Sequence, residues 1–150
     1  MFSLHKTLGG VHPPQCKDTR DCPVTSIEPP KQVRIPLNMH IGAPGKPVVN
    51  VGDHVYVGTL IGDGEGLCAP THASISGTVT SVATETLPTG QTAPVVEIAS
   101  DGKMEQDPAI VKPTYETKDE FIACVRASGV VGLGGASFPS WFKMKCPPGK

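Results

Sequence analysis

The chain has 150 residues, 38% of them hydrophobic and only 5% aromatic, and its 17 glycines and 16 prolines favour short strands and tight turns over long helices. A formal net charge of −1 supplies no electrostatic drive towards nucleic acid or an anionic membrane surface, so neither is expected as a partner. No apolar run approaches the roughly 20 residues that cross a bilayer, and residues 1–6 lack the basic-then-apolar pattern of a secretory signal, so a soluble chain without direct membrane insertion is expected.

Residues 1–31 carry Gly9-Gly10, Pro13-Pro14, Pro23 and Pro29-Pro30 and show no periodicity. They read as an extended arm wrapping a folded body, with Val11, Val24 and Ile27 as anchoring points; the alternative is a flexible tail. From 33 to about 99 the pattern is β throughout. Short apolar or alternating stretches at 33–37, 47–51, 55–61, 73–83 and 94–98 are punctuated by Gly, Pro, Asp and Asn. In Ile75-Ser76-Gly77-Thr78-Val79 the apolar positions alternate with hydroxyl residues placed to face water, and Val96 and Ile98 alternate around Glu97. A compact all-β body, closed or nearly closed to hide its edges, is expected over 32–100.

A polar connector, 101–116, follows, and then one convincing helix. Thr117 as N-cap and Glu120 at N3 stand in capping-box relation. Phe121, Ile122, Cys124 and Val125 supply an apolar face, Arg126 lies near the negative end of the dipole, and Gly129 suits the C′ position. The change from β to α marks a boundary, with 117–150 as the start of a second unit. The helix is expected to be mobile, or to pack on the barrel or on a neighbouring chain.

Two constellations carry the functional reading. The first is Val51-Gly52-Asp53-His54-Val55-Tyr56-Val57-Gly58-Thr59-Leu60-Ile61, followed by Ala69-Pro70-Thr71-His72-Ala73-Ser74-Ile75-Ser76-Gly77-Thr78-Val79. Gly52-Asp53 is a hairpin-type turn pair, and Gly58 and Gly77 sit inside strands, where lacking a side chain permits a sharp bend or close backbone packing. The arrangement resembles the barrel-sandwich hybrid fold of biotinyl and lipoyl domains. Those carriers present a lysine between the two halves. Here that segment is Asp63-Gly64-Glu65-Gly66-Leu67-Cys68, and no Lys occurs from 47 to 102. Without an amine there is no amide link to biotin or lipoate, so a docking scaffold is the expected role.

The second is Gly132-Leu133-Gly134-Gly135-Ala136-Ser137-Phe138-Pro139, with Lys143 shortly after. Glycines let a backbone turn tightly and bring its N–H groups against phosphates or a flat ring. The loop lacks the GxGxxG register of a dinucleotide fold and the GK[ST] of a P-loop, and by itself it reads more readily as a flexible connector than as a cofactor site.

Cys16, Cys22, Cys68, Cys124 and Cys146 form no CxxC pair, and the histidines at 5, 12, 40, 54 and 72 form no HxxxH or HxH pair, so neither a metal site nor a cluster is expected. His40 has no acid or nucleophile patterned with it and reads as a structural loop histidine; no catalytic residue is expected in the chain.

The loop resembles one at the start of the flavin domain shared by the RnfC subunit of Rnf-type ion-translocating complexes and the NADH-binding flavoprotein subunit of respiratory complex I. Leu8-Gly9-Gly10-Val11-His12-Pro13-Pro14 and Ile35-Pro36-Leu37-Asn38-Met39-His40-Ile41-Gly42-Ala43-Pro44 point to the RnfC family, so the chain is identified as a member of it, covering an N-terminal portion. The resemblance implies a mainly β barrel-sandwich hybrid domain followed by the start of an α/β flavin-binding domain. It implies FMN and NAD(H) as cofactors of the intact protein, with Gly132, Gly134, Gly135, Ala136 and Phe138 lining the pocket and Lys143 as phosphate contact. It also implies 4Fe-4S clusters beyond this chain, the other Rnf subunits as partners, ferredoxin reached through the complex, and a peripheral place on the cytoplasmic face of the bacterial plasma membrane. The 150 residues alone are expected to bind no cofactor and to be inert. Two alternatives carry the same motifs: an RnfC-like reductase subunit serving another enzyme, and a non-catalytic barrel-sandwich adaptor whose glycine-rich stretch is a linker.

Overall fold

The structure, a computed structural model, describes residues 14–145. Seven strands and two helices follow in the order β1 (Gln32–Pro36), β2 (Lys46–Pro47), β3 (His54–Val55), β4 (Leu60–Asp63), β5 (Thr71–His72), β6 (Gly77–Thr86), β7 (Thr92–Ser100), α1 (Lys118–Ala127) and α2 (Ser140–Lys143). They build a four-stranded antiparallel sheet in the order β1-β7-β6-β3 and a three-stranded one in the order β2-β4-β5. Ile35, Leu37, Val55, Ile61, Ala73, Ile75, Val79, Val96 and Ile98 fill the space enclosed by the strands. Burying each large aliphatic side chain contributes about 1.5–3 kcal/mol relative to leaving it in water. This is the mainly β barrel-sandwich body that the sequence implied.

One expected strand is divided between the sheets and another starts late. The stretch 55–61 splits into β3 and β4, and 73–83 holds no strand before Gly77, where β6 begins. Gly58 (φ 93°) and Gly77 (φ 155°) stand at the two crossings. A Cβ at Gly77 would run into the Ala99 carbonyl, and one at Gly58 into Ile110. The result is one long bent hairpin: His54 pairs with Thr78 in one sheet and Leu60 with His72 in the other, so its tip is residues 64–70. The stretch 47–51 contributes only Lys46–Pro47 to a strand. It turns instead at Gly52 (φ 95°), where the Asp53 carboxylate accepts the Asn50 N–H at 2.8 Å.

Two expectations are corrected. Ser76 does not face water: it is fully buried, its hydroxyl donating to Asp101 at 2.6 Å and accepting the Glu105 N–H at 3.1 Å. The alternation itself holds, with Ala73, Ile75 and Val79 all in the core. Ser76 is buried on the other face, where the polar connector brings the partners that make the burial tolerable. The connector itself is stitched down by a Val57–Gln106 bridge and a Thr59 hydroxyl that donates to Asp107 at 2.5 Å.

The second correction concerns the arm. Val24 is 100% and Ile27 89% exposed, so neither anchors it. Prolines 14, 23, 29 and 30 lack N–H donors for a ladder, and the bonds of this stretch are local turns such as Arg20 N–H to Lys17 O. Val11, the third expected anchor, and most of the 8–14 motif lie outside the described residues.

Helix α1 begins as expected. The Glu120 N–H donates to Thr117 Oγ1 at 3.2 Å, and Thr117 N–H returns to Glu120 Oε2 at 3.1 Å. The backbone N–H groups of Glu116 and Thr117 hold the Glu120 carboxyl below its ordinary range. Gly129 follows the helix at φ 68°. The helix packs against α2, with Ile122 buried, and its Arg126 reaches the barrel at Asp63. Among the described residues, 117–145 hold the two helices and one isolated bridge, Val131–Pro139, and no strand of their own. No helix among them is long and apolar enough to cross a membrane.

Candidate functional site

Five of the six expected site residues fall in one small unit between α1 and α2, and the sixth, Lys143, is the last residue of α2. Residues 132–138 form a loop closed by antiparallel bonds: Gly132 N–H donates to Phe138 O at 2.9 Å, and Ser140 N–H to Val130 O at 3.0 Å. Ala136 O accepts the Ile41 N–H at 2.9 Å, which ties the loop to the barrel. Phe138 stacks edge-on against Phe142, and the Lys143 ammonium lies 5.4 Å from the Phe138 ring centre.

The tip of the loop is open. The N–H groups of Leu133, Gly134, Gly135, Ala136 and Ser137 meet no acceptor among the described residues. A Cβ at Gly134 or Gly135 would touch nothing within 4 Å, and Leu133 is fully exposed. Gly135 (φ 65°) and Ser137 (φ 49°) are left-handed, a backbone shape that turns successive N–H groups the same way. Among the described residues, packing therefore does not use the space over Gly134 and Gly135. Room for a flat ring, N–H donors for anionic oxygens and a nearby ammonium match what FMN or a nicotinamide nucleotide would need.

Only Ala136 of the six borders the open cleft of about 990 Å³ between the 38–44 loop and the turn at Thr89–Thr92. His40 edges that cleft but is fully engaged in structure. Its Nε2 accepts the Ala69 N–H at 3.1 Å, which places the ring proton on Nδ1, 3.1 Å from Ile41 O. This is the structural role the sequence suggested. Cys68 Sγ lies 3.7 Å from the same Nε2, and burial pushes its thiol up, away from nucleophilic chemistry. Cys16, Cys22, Cys68 and Cys124 are free thiols, and Cys146 lies outside the described residues. No group of three or more His, Cys, Asp or Glu among the described residues is placed to hold a metal ion.

Sequence reasoning missed how the unit is seated. The Arg126 guanidinium forks onto Asp63 (Nη2–Oδ1 2.8 Å, Nη1–Oδ2 3.2 Å) and also donates to Gly64 O at 2.8 Å. The buried Trp141 donates its indole N–H to Cys68 O at 2.8 Å. The hairpin tip that bears a lysine in carrier domains is here covered by the C-terminal segment. The one available signal was that Trp141 is the only tryptophan of an aromatic-poor chain.

Known proteins share this sequence pattern. The family described as RnfC barrel sandwich hybrid domain matches residues 5–103. The chain is 41% identical over 149 residues to the C subunit of the Na(+)-translocating ferredoxin:NAD(+) oxidoreductase complex of Acetobacterium woodii, a match covering 95% of this chain and 33% of that protein. It is 37% identical over 142 residues to the C subunit of the ion-translocating oxidoreductase complex of Rhodobacter capsulatus, covering 91% of this chain and 27% of that protein. The corresponding protein of Klebsiella pneumoniae is 38% identical over 143 residues, 91% of this chain and 19% of that protein. The chain thus spans a third or less of the length of these curated relatives.

Proposed function

Since the chain belongs to the RnfC barrel-sandwich hybrid family, we propose that it is part of the C subunit of an ion-translocating oxidoreductase complex, contributing a docking body and one wall of a flavin and nicotinamide pocket. The observation that carries the pocket reading is the Gly134–Gly135 tip. Five consecutive N–H groups without acceptors surround a space that no side chain of the described residues claims.

FMN, when bound, supplies the conversion of a two-electron hydride into single electrons. This chain's residues bind and orient. Gly134 and Gly135 let the backbone approach a flat ring, the N–H groups of 133–137 meet anionic oxygens, and the Lys143 ammonium neutralises phosphate charge. Phe138 backs the lysine and keeps water from one side of it. The barrel contributes position, and its lysine-free hairpin cannot act as a prosthetic-group arm. The other members of the complex are the partners, with NADH and ferredoxin reached through the assembly and iron–sulfur clusters lying outside these residues.

The test is a titration of FMN, followed by quenching of its fluorescence. It uses the Acetobacterium woodii protein with these 150 residues in place of its matching segment, and the 150 residues alone. Binding is expected to the former and not to the latter. Gly134→Val is the deciding variant: its Cβ has free space in this chain, so lost binding reports a clash with the ligand. Unchanged FMN affinity in Gly134→Val would remove the loop from the pocket.

A further inference from the structure

We infer that the barrel's hairpin tip, 64–70, together with Asp63 at the end of β4, is a socket for the C-terminal segment, and that Arg126 and Trp141 are positioning residues which hold the glycine-rich loop in place. This rests on reading that loop as a cofactor wall. The socket offers three acceptors: the Asp63 carboxylate, Gly64 O and Cys68 O. Arg126 takes the first two, and the Trp141 indole N–H takes the third. Arg126 also lies 5.9 Å from the Trp141 ring centre, so the two anchors brace each other.

The placement in sequence makes this a positioning device rather than simple adhesion. Arg126 lies six residues before Gly132, and Trp141 three after Phe138, so the anchors hold the two ends of the loop. Between them the loop has one direct tie to the barrel, Ile41 N–H to Ala136 O. A forked guanidinium–carboxylate pair and an indole N–H bond are directional, so they fix orientation as well as association. The fit is close. A side chain at Gly129 would strike Pro70 O, and one at Gly64 would press on Cys68 Sγ at 3.0 Å. The hairpin that presents a lysine in carrier domains is thus used here as a seat.

The experiment pairs amide exchange by mass spectrometry on the 150-residue chain with FMN affinity in the exchanged-segment Acetobacterium woodii protein. Trp141→Phe keeps the ring and deletes the N–H; Arg126→Lys keeps the charge and deletes the fork. Each is expected to accelerate exchange over 130–143 by about tenfold or more, to leave β6 and β7 unchanged, and to weaken FMN binding at least fivefold. The swap Asp63→Arg with Arg126→Asp is expected to slow the loop again. Unchanged loop exchange in both single variants overturns the socket, as does acceleration spread through the barrel. Faster exchange with unaltered FMN affinity overturns the positioning role. If the unsubstituted protein binds no FMN, the pocket reading fails, while the exchange result still decides the socket.

Discussion

The barrel and the C-terminal segment are held together by different kinds of force. Inside the barrel, Leu37, Ile61, Val96 and Ile98 are wholly buried, and the two sheets close around them. The segment 117–145 buries only Ile122, Pro139 and Trp141, and it meets the barrel through a few directional bonds to one hairpin and one to the 38–44 loop. Non-directional apolar burial stabilises a body; directional polar contacts orient one part on another. A region with the proposed task of presenting backbone N–H groups to a ligand gains more from the second kind.

The deepest test of this contrast is Ile98→Ala. It should cost about 2–5 kcal/mol, read as a lower urea midpoint, with barrel and segment lost together because the seat goes with the core. Thr117→Ala removes the cap of α1 and should cost about 1 kcal/mol locally. Amide exchange should rise across 118–127, and equal acceleration in β7 would show that the helix is part of the barrel's cooperative unit. Asp63→Asn should loosen the segment by about 0.5–1 kcal/mol, since the pair is about a third exposed and partly screened. Raising NaCl towards 1 M should mimic part of that effect in the unsubstituted chain and none of it in the variant.

The smallest expected effect is that of pH. Burial lowers the pKa of His72 below its ordinary value of 6.5, against an opposing pull from Asp63. Its ring lies beneath Gly129, at the contact between hairpin and segment. The folded protein binds this proton more weakly than the unfolded one does. The contribution of His72 is therefore fully present above about pH 6.5 and is lost as pH falls through the window below. Trp141 fluorescence between pH 7 and 5 should report a loosening that His72→Gln abolishes; a flat profile in the unsubstituted chain would separate His72 from the docking.

Much of this was legible locally. The capping box at Thr117 and Glu120, the turn at Gly52-Asp53 and the role of Gly58 and Gly77 as bends are each encoded within a few residues, because a missing Cβ or a short polar side chain acts on its own backbone. All six candidate site residues are contiguous or nearly so, which is why the glycine-rich unit could be picked out. The strand boundaries were less legible. An alternating run looks the same whether it stays in one sheet or crosses to another, and the burial of Ser76 follows from its contact with Asp101 and Glu105, more than 20 residues on.

The sequence by itself determined that this is a turn-rich β body followed by a capped helix and a glycine-rich loop, and that its hairpin carries no lysine for a prosthetic group. Only the tertiary structure decided what that hairpin does instead. Asp63 and Arg126 are 63 residues apart, and Cys68 and Trp141 are 73 apart. Neither pair has a periodicity or local pattern to announce it. Their meeting depends on how the bent hairpin brings its tip to the side of the barrel where α1 and α2 pack, and local propensity holds no record of that.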